Sequence, residues 1–137
     1  MDNRVLHLPR NVSGRDFIIG DIHGAYDLIL EGMKAVNFDR SVDRILSVGD
    51  LIDRGAGSAS CLAFLRQPYV YAIAGNHERM LVDAWREGNL DRAMVDALAI
   101  MNFNGMRWMK DVSIETLNEI AATFDELPFV IEVETDR

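Results

Sequence analysis

The sequence predicts an α/β chain in which short parallel strands alternate with crossover helices, on two observations. Three brief apolar runs each end in a glycine followed by polar residues: Gly20-Asp21-Ile22-His23-Gly24, Gly49-Asp50-Leu51-Ile52-Asp53-Arg54-Gly55 and Gly75-Asn76-His77-Glu78. Behind each run the apolar spacing changes to that of a helix. Such β-loop-α alternation argues for parallel strands, because a parallel connection must cross back over the sheet. Polar motifs at the carboxyl ends of successive parallel strands collect on one edge, where open α/β folds bind ligands.

The elements follow in order. Asp16–Ile19 reads as a buried strand, and a helix carrying Ile29, Met33 and Val36 at helical spacing comes after it. His7 precedes this first strand and reads as a surface residue. Arg44–Val48 is the second strand, followed by a short helix around Ser58–Leu65. Tyr69–Ile73 is the third, followed by a helix with Met80, Leu81, Ala84 and Trp85. Beyond residue 86 the pattern is helical, with candidates over Arg92–Met101 and Ser113–Leu127. The second carries Leu117, Ile120, Ala121, Phe124 and Leu127 on one face and is stopped by Pro128. Phe129–Val133 reads as a nearly apolar strand that begins a second sheet. Left uncovered, it would invite self-association.

Composition narrows the classes. The 137 residues are 49% apolar and 26% charged, with a formal charge of −8. A surface of that sign repels phosphate backbones and argues against nucleic-acid binding. The N-terminus lacks the apolar core of a secretory signal, and no apolar run is long enough to cross a membrane. Cys61 is the only cysteine, so no intrachain disulfide forms; a cytoplasmic setting is expected. Cys61 reads as a buried helix residue, because the four residues separating it from Arg66 are all apolar and unlike an anion-binding loop.

Each motif has a chemistry and a bland alternative. Asp21 and His23, two apart in an extended segment, point to one side and can ligate one metal ion; taken alone, the triplet more often marks a surface turn. Asp50, Asp53 and Arg54 supply a metal ligand, an orienting carboxylate and a phosphate clamp, or else a solvated turn with a local ion pair. Asn76 and His77 supply a neutral oxygen ligand beside an imidazole, or else a helix N-cap and an exposed first-turn residue. Met101, Met106, Trp108 and Met109 read as core or lid packing rather than a substrate groove.

Together, Asp-x-His, Gly-Asp-x-x-Asp-Arg and Gly-Asn-His-Glu at intervals of about 25 residues resemble the calcineurin-like metallophosphoesterases. Asp53-Arg54-Gly55 and His77-Glu78 are similar to the phosphoprotein phosphatase branch, the bacterial and phage lambda-type serine/threonine phosphatases. The resemblance implies an αββα sandwich, of which this chain holds the N-terminal sheet, its helices and the start of the second sheet. It implies two divalent metals, manganese in the first instance, with iron or zinc suited to the same donors. Asp21, His23 and Asp50 would bind the first metal, and Asp50 and Asn76 the second. His77 would be the general acid, oriented by Asp53, while Arg54 and Asn76 would hold the phosphate. The implied reaction is hydrolysis of phosphoserine and phosphothreonine, or of a small phosphomonoester, by a metal-bridged hydroxide.

In one respect the sequence departs from the pattern. The family takes two further histidines and a second arginine from downstream segments, yet the histidines here are His7, His23 and His77. The first metal set is therefore present and the second is incomplete. The expectation is a single domain, residues 1–137, truncated at its C-terminus and weakly active or inactive by itself. The alternatives are a dinucleoside-polyphosphate hydrolase, or a non-catalytic remnant acting as a binding or assembly module.

Overall fold

A computed structural model describes residues 4–136. Its strands are β1 (Val5–Leu8), β2 (Asp16–Ile19), β3 (Arg44–Ser47), β4 (Val70–Ala72) and β5 (Val130–Val133). Its helices are α1 (Tyr26–Ala35), α2 (Cys61–Leu65), α3 (Asn76–Arg86), α4 (Arg92–Ile100) and α5 (Ile114–Asp125). A 3₁₀ turn at Ala56–Ser60 leads into α2, and a kinked 3₁₀ segment spans Phe103–Asp111 between α4 and α5.

Strands β2, β3 and β4 form a parallel sheet in that order, with Phe17 beside Ile45 and Ile45 beside Val70. The expected α/β class and its three strands are therefore present, each within two residues of its predicted bounds. Arg44 grips Asp16 through two hydrogen bonds of 2.7 and 2.8 Å, fixing the register of β2 on β3. Helix α5 starts where Ser113 accepts the Thr116 amide, and its stripe of Leu117, Ile120, Ala121 and Phe124 is fully buried.

Two cores result. The smaller lies between α1 and the sheet, around Met33, Ile45, Tyr69 and Val70. The larger joins α3, α4, α5 and the 3₁₀ segment to the loop after β3 through Leu51 and Ile52. Those two side chains stand between Asp50 and Asp53 and are completely buried. Their burial pins the loop that carries both carboxylates.

Two expectations are corrected. Asp16–Ile19 is not the first strand: Val5–Leu8 precedes it and contains His7, which is exposed and bonded to Glu132 at 2.8 Å. Four residues ending at Pro9 were too few to show alternation. Likewise β5 does not stand without a neighbour. It pairs parallel with β1 from Val5 opposite Val130 to Leu8 opposite Val133, and the Ala74 amide donates to the Pro128 carbonyl at 3.0 Å. Phe129 and Val130 nevertheless remain about half exposed. Among the described residues, no helix is long and apolar enough to cross a membrane.

Candidate active site

The loops that follow β2 and β3 are stitched together through their backbones, and side chains tie the loop after β4 to them. The Ile22 and His23 amides both donate to the Asp50 carbonyl at 3.0 and 2.9 Å, and the Gly24 amide donates to the Leu51 carbonyl at 2.9 Å. The price in strain is visible. His23, Asp50, Asp53 and Arg54 all have left-handed backbones, with φ of 45°, 53°, 73° and 69°. Asp21 and His23 are thus brought together by a turn and not by the extended segment that their spacing suggested.

Asp21, His23 and Asp50 each offer a ligating atom within 4.8 Å of the others. The Nδ1 of His23 lies 2.8 Å from the Ile52 carbonyl. A carbonyl only accepts, so Nδ1 carries the proton and Nε2 is left as the donor atom, 3.7 Å from the Asp21 carboxylate. Two carboxylates and one oriented imidazole fit a divalent metal of the manganese, iron or zinc type.

Glu78 supports this cluster from beneath. It is fully buried, and it accepts the Asp50 amide at 2.6 Å, the Leu51 amide at 2.9 Å and the Gly75 amide at 3.0 Å. Burial pushes its carboxyl up from the ordinary range, while the three amides pull it back down. Glu78 therefore both caps α3 and holds the loop bearing Asp50. The sequence pattern marked it only as the last letter of a motif; the Glu three residues after Gly75 was the available signal. Gly75, and not Asn76, is the N-cap of α3. A Cβ on Gly75 would lie 2.5 Å from both the amide nitrogen and Oδ1 of Asp50, so only glycine fits there.

His77 and Asp53 form a sealed pair. The Nδ1 of His77 is 2.8 Å from Oδ2 of Asp53, and the Trp108 indole donates to Oδ1 at 2.7 Å. Asp53 is completely buried; burial pushes its carboxyl up, against the lowering exerted by Trp108 and His77. The His77 amide donates to the Asp50 carboxylate at 3.1 Å, and the His23 and His77 rings meet edge to face at 4.8 Å. The His77–Asp53 pair and the carboxylate–imidazole cluster therefore lie in one place. Trp108 escaped sequence reasoning as a member of it, because its partner is 55 residues away.

The remaining residues divide. Asn76 opens α3 and is exposed beside this cluster. Arg54 is exposed and makes no ion pair among the described residues, while its amide donates to the Gly105 carbonyl at 2.7 Å. Cys61 is buried in α2, with its thiol pushed up to about 12 by that burial, which leaves no nucleophile there. Met106, Trp108 and Met109 are buried, but Met101 is largely exposed.

The parallel strands thus feed a carboxylate–imidazole cluster, suited to a divalent metal, at their carboxyl edge. The profile of the calcineurin-like phosphoesterases matches residues 17–132, and the chain belongs to that family. It is 36% identical over 120 residues to serine/threonine-protein phosphatase 1 of Salmonella typhimurium, covering 85% of this chain and 52% of that one. It is 40% identical over 68 residues to the symmetrical bis(5'-nucleosyl)-tetraphosphatase of Actinobacillus pleuropneumoniae, covering 48% of this chain and 25% of the relative. Among solved structures, the fold superposes on a candidate diadenosine tetraphosphatase with a TM-score of 0.66 and 26% identity, over 96% of this chain and 50% of that one. The chain spans about half the length of the curated phosphatases it matches.

Proposed function

We propose that this site belongs to a metal-dependent phosphomonoesterase acting on phosphoserine and phosphothreonine. The observation that carries the reading is the convergence of Asp21, His23 and Asp50 with the His77–Asp53 pair. A similarity to serine/threonine phosphatases across 85% of the chain supports it.

In this reading Asp21, His23 and Asp50 hold one divalent metal, and Asp50 and Asn76 contribute to a second. Bound there, the metals would polarise the phosphoryl group and supply a hydroxide at neutral pH. Arg54 and Asn76 orient the phosphate. His77, whose Nδ1 is occupied by Asp53, gives a proton from Nε2 to the leaving alkoxide. Asp50 and Asn76 give the second metal fewer donors than the first, and the remaining histidine, His7, pairs with Glu132. We therefore propose weak binding of one metal and low turnover by this chain alone. Manganese, a cytoplasmic setting, a phosphoprotein substrate and self-association along β5 complete the reading.

The test is hydrolysis of an aryl phosphate and of a phosphopeptide in manganese. Comparable turnover by wild type and His77→Asn would remove the acid role. A second reading, dinucleoside-polyphosphate hydrolysis, is favoured by the similarity to the tetraphosphatase. Turnover of a diadenosine polyphosphate in preference to the phosphopeptide would establish it instead. Two tight metal sites in calorimetry would overturn the half-site, and no binding at all would leave the chain a non-catalytic module.

A further inference from the structure

We infer that Trp108 is a positioning residue for the general acid, acting on His77 through Asp53. The inference rests on the acid role given to His77 above.

The Asp53 carboxylate has no access to water and two donors: the Trp108 indole on Oδ1 at 2.7 Å and the His77 imidazole on Oδ2 at 2.8 Å. An indole N–H can only donate, so Oδ1 must present a lone pair to it. That fixes the rotation of the carboxylate and leaves Oδ2 to accept from Nδ1 of His77. His77 then keeps its proton on Nδ1, with Nε2 as the exchanging position. Without the indole, Oδ1 is a buried acceptor with no partner, and the carboxyl is free to rotate or to take up a proton of its own. Either change loosens the imidazole.

The surrounding fold holds Trp108 in place for this task. Trp108 is buried in the 3₁₀ segment Phe103–Asp111, whose Gly105 carbonyl accepts the Arg54 amide at 2.7 Å. A Cβ on Gly105 would lie 2.4 Å from the Arg54 nitrogen. The segment is therefore docked on the residue next to Asp53, where the backbone is left-handed at both Asp53 and Arg54. Once buried, the indole N–H needs an acceptor, and the acceptor it is given is the fully buried Asp53 carboxylate that also holds His77.

The deciding variant is Trp108→Phe, which keeps an aromatic ring and loses the N–H. Nitrogen-15 NMR of the 137-residue chain without metal should show His77 protonated at Nδ1 in wild type. In Trp108→Phe it should show mixed tautomers and faster exchange of that proton. In manganese, kcat on an aryl phosphate should fall roughly 10- to 100-fold with KM unchanged, the range for removing a group that orients a reactive imidazole. Because Trp108 acts through Asp53, the double variant with Asp53→Asn should be no slower than Asp53→Asn alone. A folded Trp108→Phe protein with an unaltered His77 signal, or losses that multiply in the double variant, overturns the inference. If Trp108→Phe does not fold, the Trp108 indole signal decides: it should move upfield in Asp53→Asn, and an unmoved signal overturns the proposal. Absence of turnover in wild type is what the half-filled metal site allows, and the NMR results alone then decide whether Trp108 orients the pair. A diadenosine polyphosphate turned over in preference to the phosphopeptide would count against the phosphatase reading and leave the Trp108 inference standing.

Discussion

Asp21, His23 and Asp50 are exposed or half-buried on two loops joined through their backbones, whereas Asp53 and His77 are buried and held through their own side chains. The first cluster brings two carboxylates and an imidazole within 4.8 Å of one another, a donor set that suits a divalent cation. In the second, every polar atom that meets Asp53 is a protein donor, so the pair is organised before substrate arrives. One half of the site is organised by backbone contacts between loops, and the other by side chains packed in the fold.

The largest effect that would test this contrast is His77→Asn, expected to lower turnover by roughly 10²–10⁴ while leaving metal affinity within a few-fold. An equal loss of metal affinity, read by calorimetry, would show that the two halves are not separable. Glu78→Gln should come next, because three amides lose a charged acceptor; unfolding in urea should show a loss of about 2–3 kcal/mol. Such a loss without metal would mark Glu78 as part of the fold itself. Asp50→Asn should do the opposite: little change in metal-free stability, and no rise in melting temperature on adding manganese, where wild type is expected to show one. At 100 times Kd that rise corresponds to about 2.7 kcal/mol.

The smallest effect lies at the far end of the sheet and serves as a control. Asp43 accepts the amide and guanidinium of Arg15 and the Asp39 amide, and its carboxyl is held down to about 2, chiefly by Arg15. Since the unfolded carboxyl titrates near 3.9, this stabilisation is complete above about pH 4 and is lost as pH falls towards 2. Asp43→Asn should flatten the acid limb of the stability profile without touching metal binding. A shifted manganese affinity would mean that the two ends of the sheet communicate.

Legibility followed the same division. The members of the metal-type cluster were picked out because they sit in three short motifs at the ends of apolar runs, and only the three motifs together resemble a family. The α5 face was readable for a similar reason: Leu117, Ile120, Ala121 and Phe124 repeat with the helix. Strand β1 was not, since Val5-Leu6-His7-Leu8 becomes a strand only by pairing with β5, more than 120 residues later. Trp108 sat in a stretch read as packing, and packing is what most of it does. Its indole N–H gained a role only when Gly105 docked on Arg54.

By itself, then, the sequence determined the α/β class and the three β-to-loop junctions, because these depend on local apolar runs and turns; the residues proposed to carry the chemistry came from the resemblance of its three motifs to a family. The tertiary structure decided how those residues are held. Glu78 under Asp50, Ile52 behind His23, Trp108 behind Asp53 and β1 beside β5 are contacts between distant segments. Such contacts have no period and no spacing, and they come into being only when the two cores close around Leu51 and Ile52 and around Ile45.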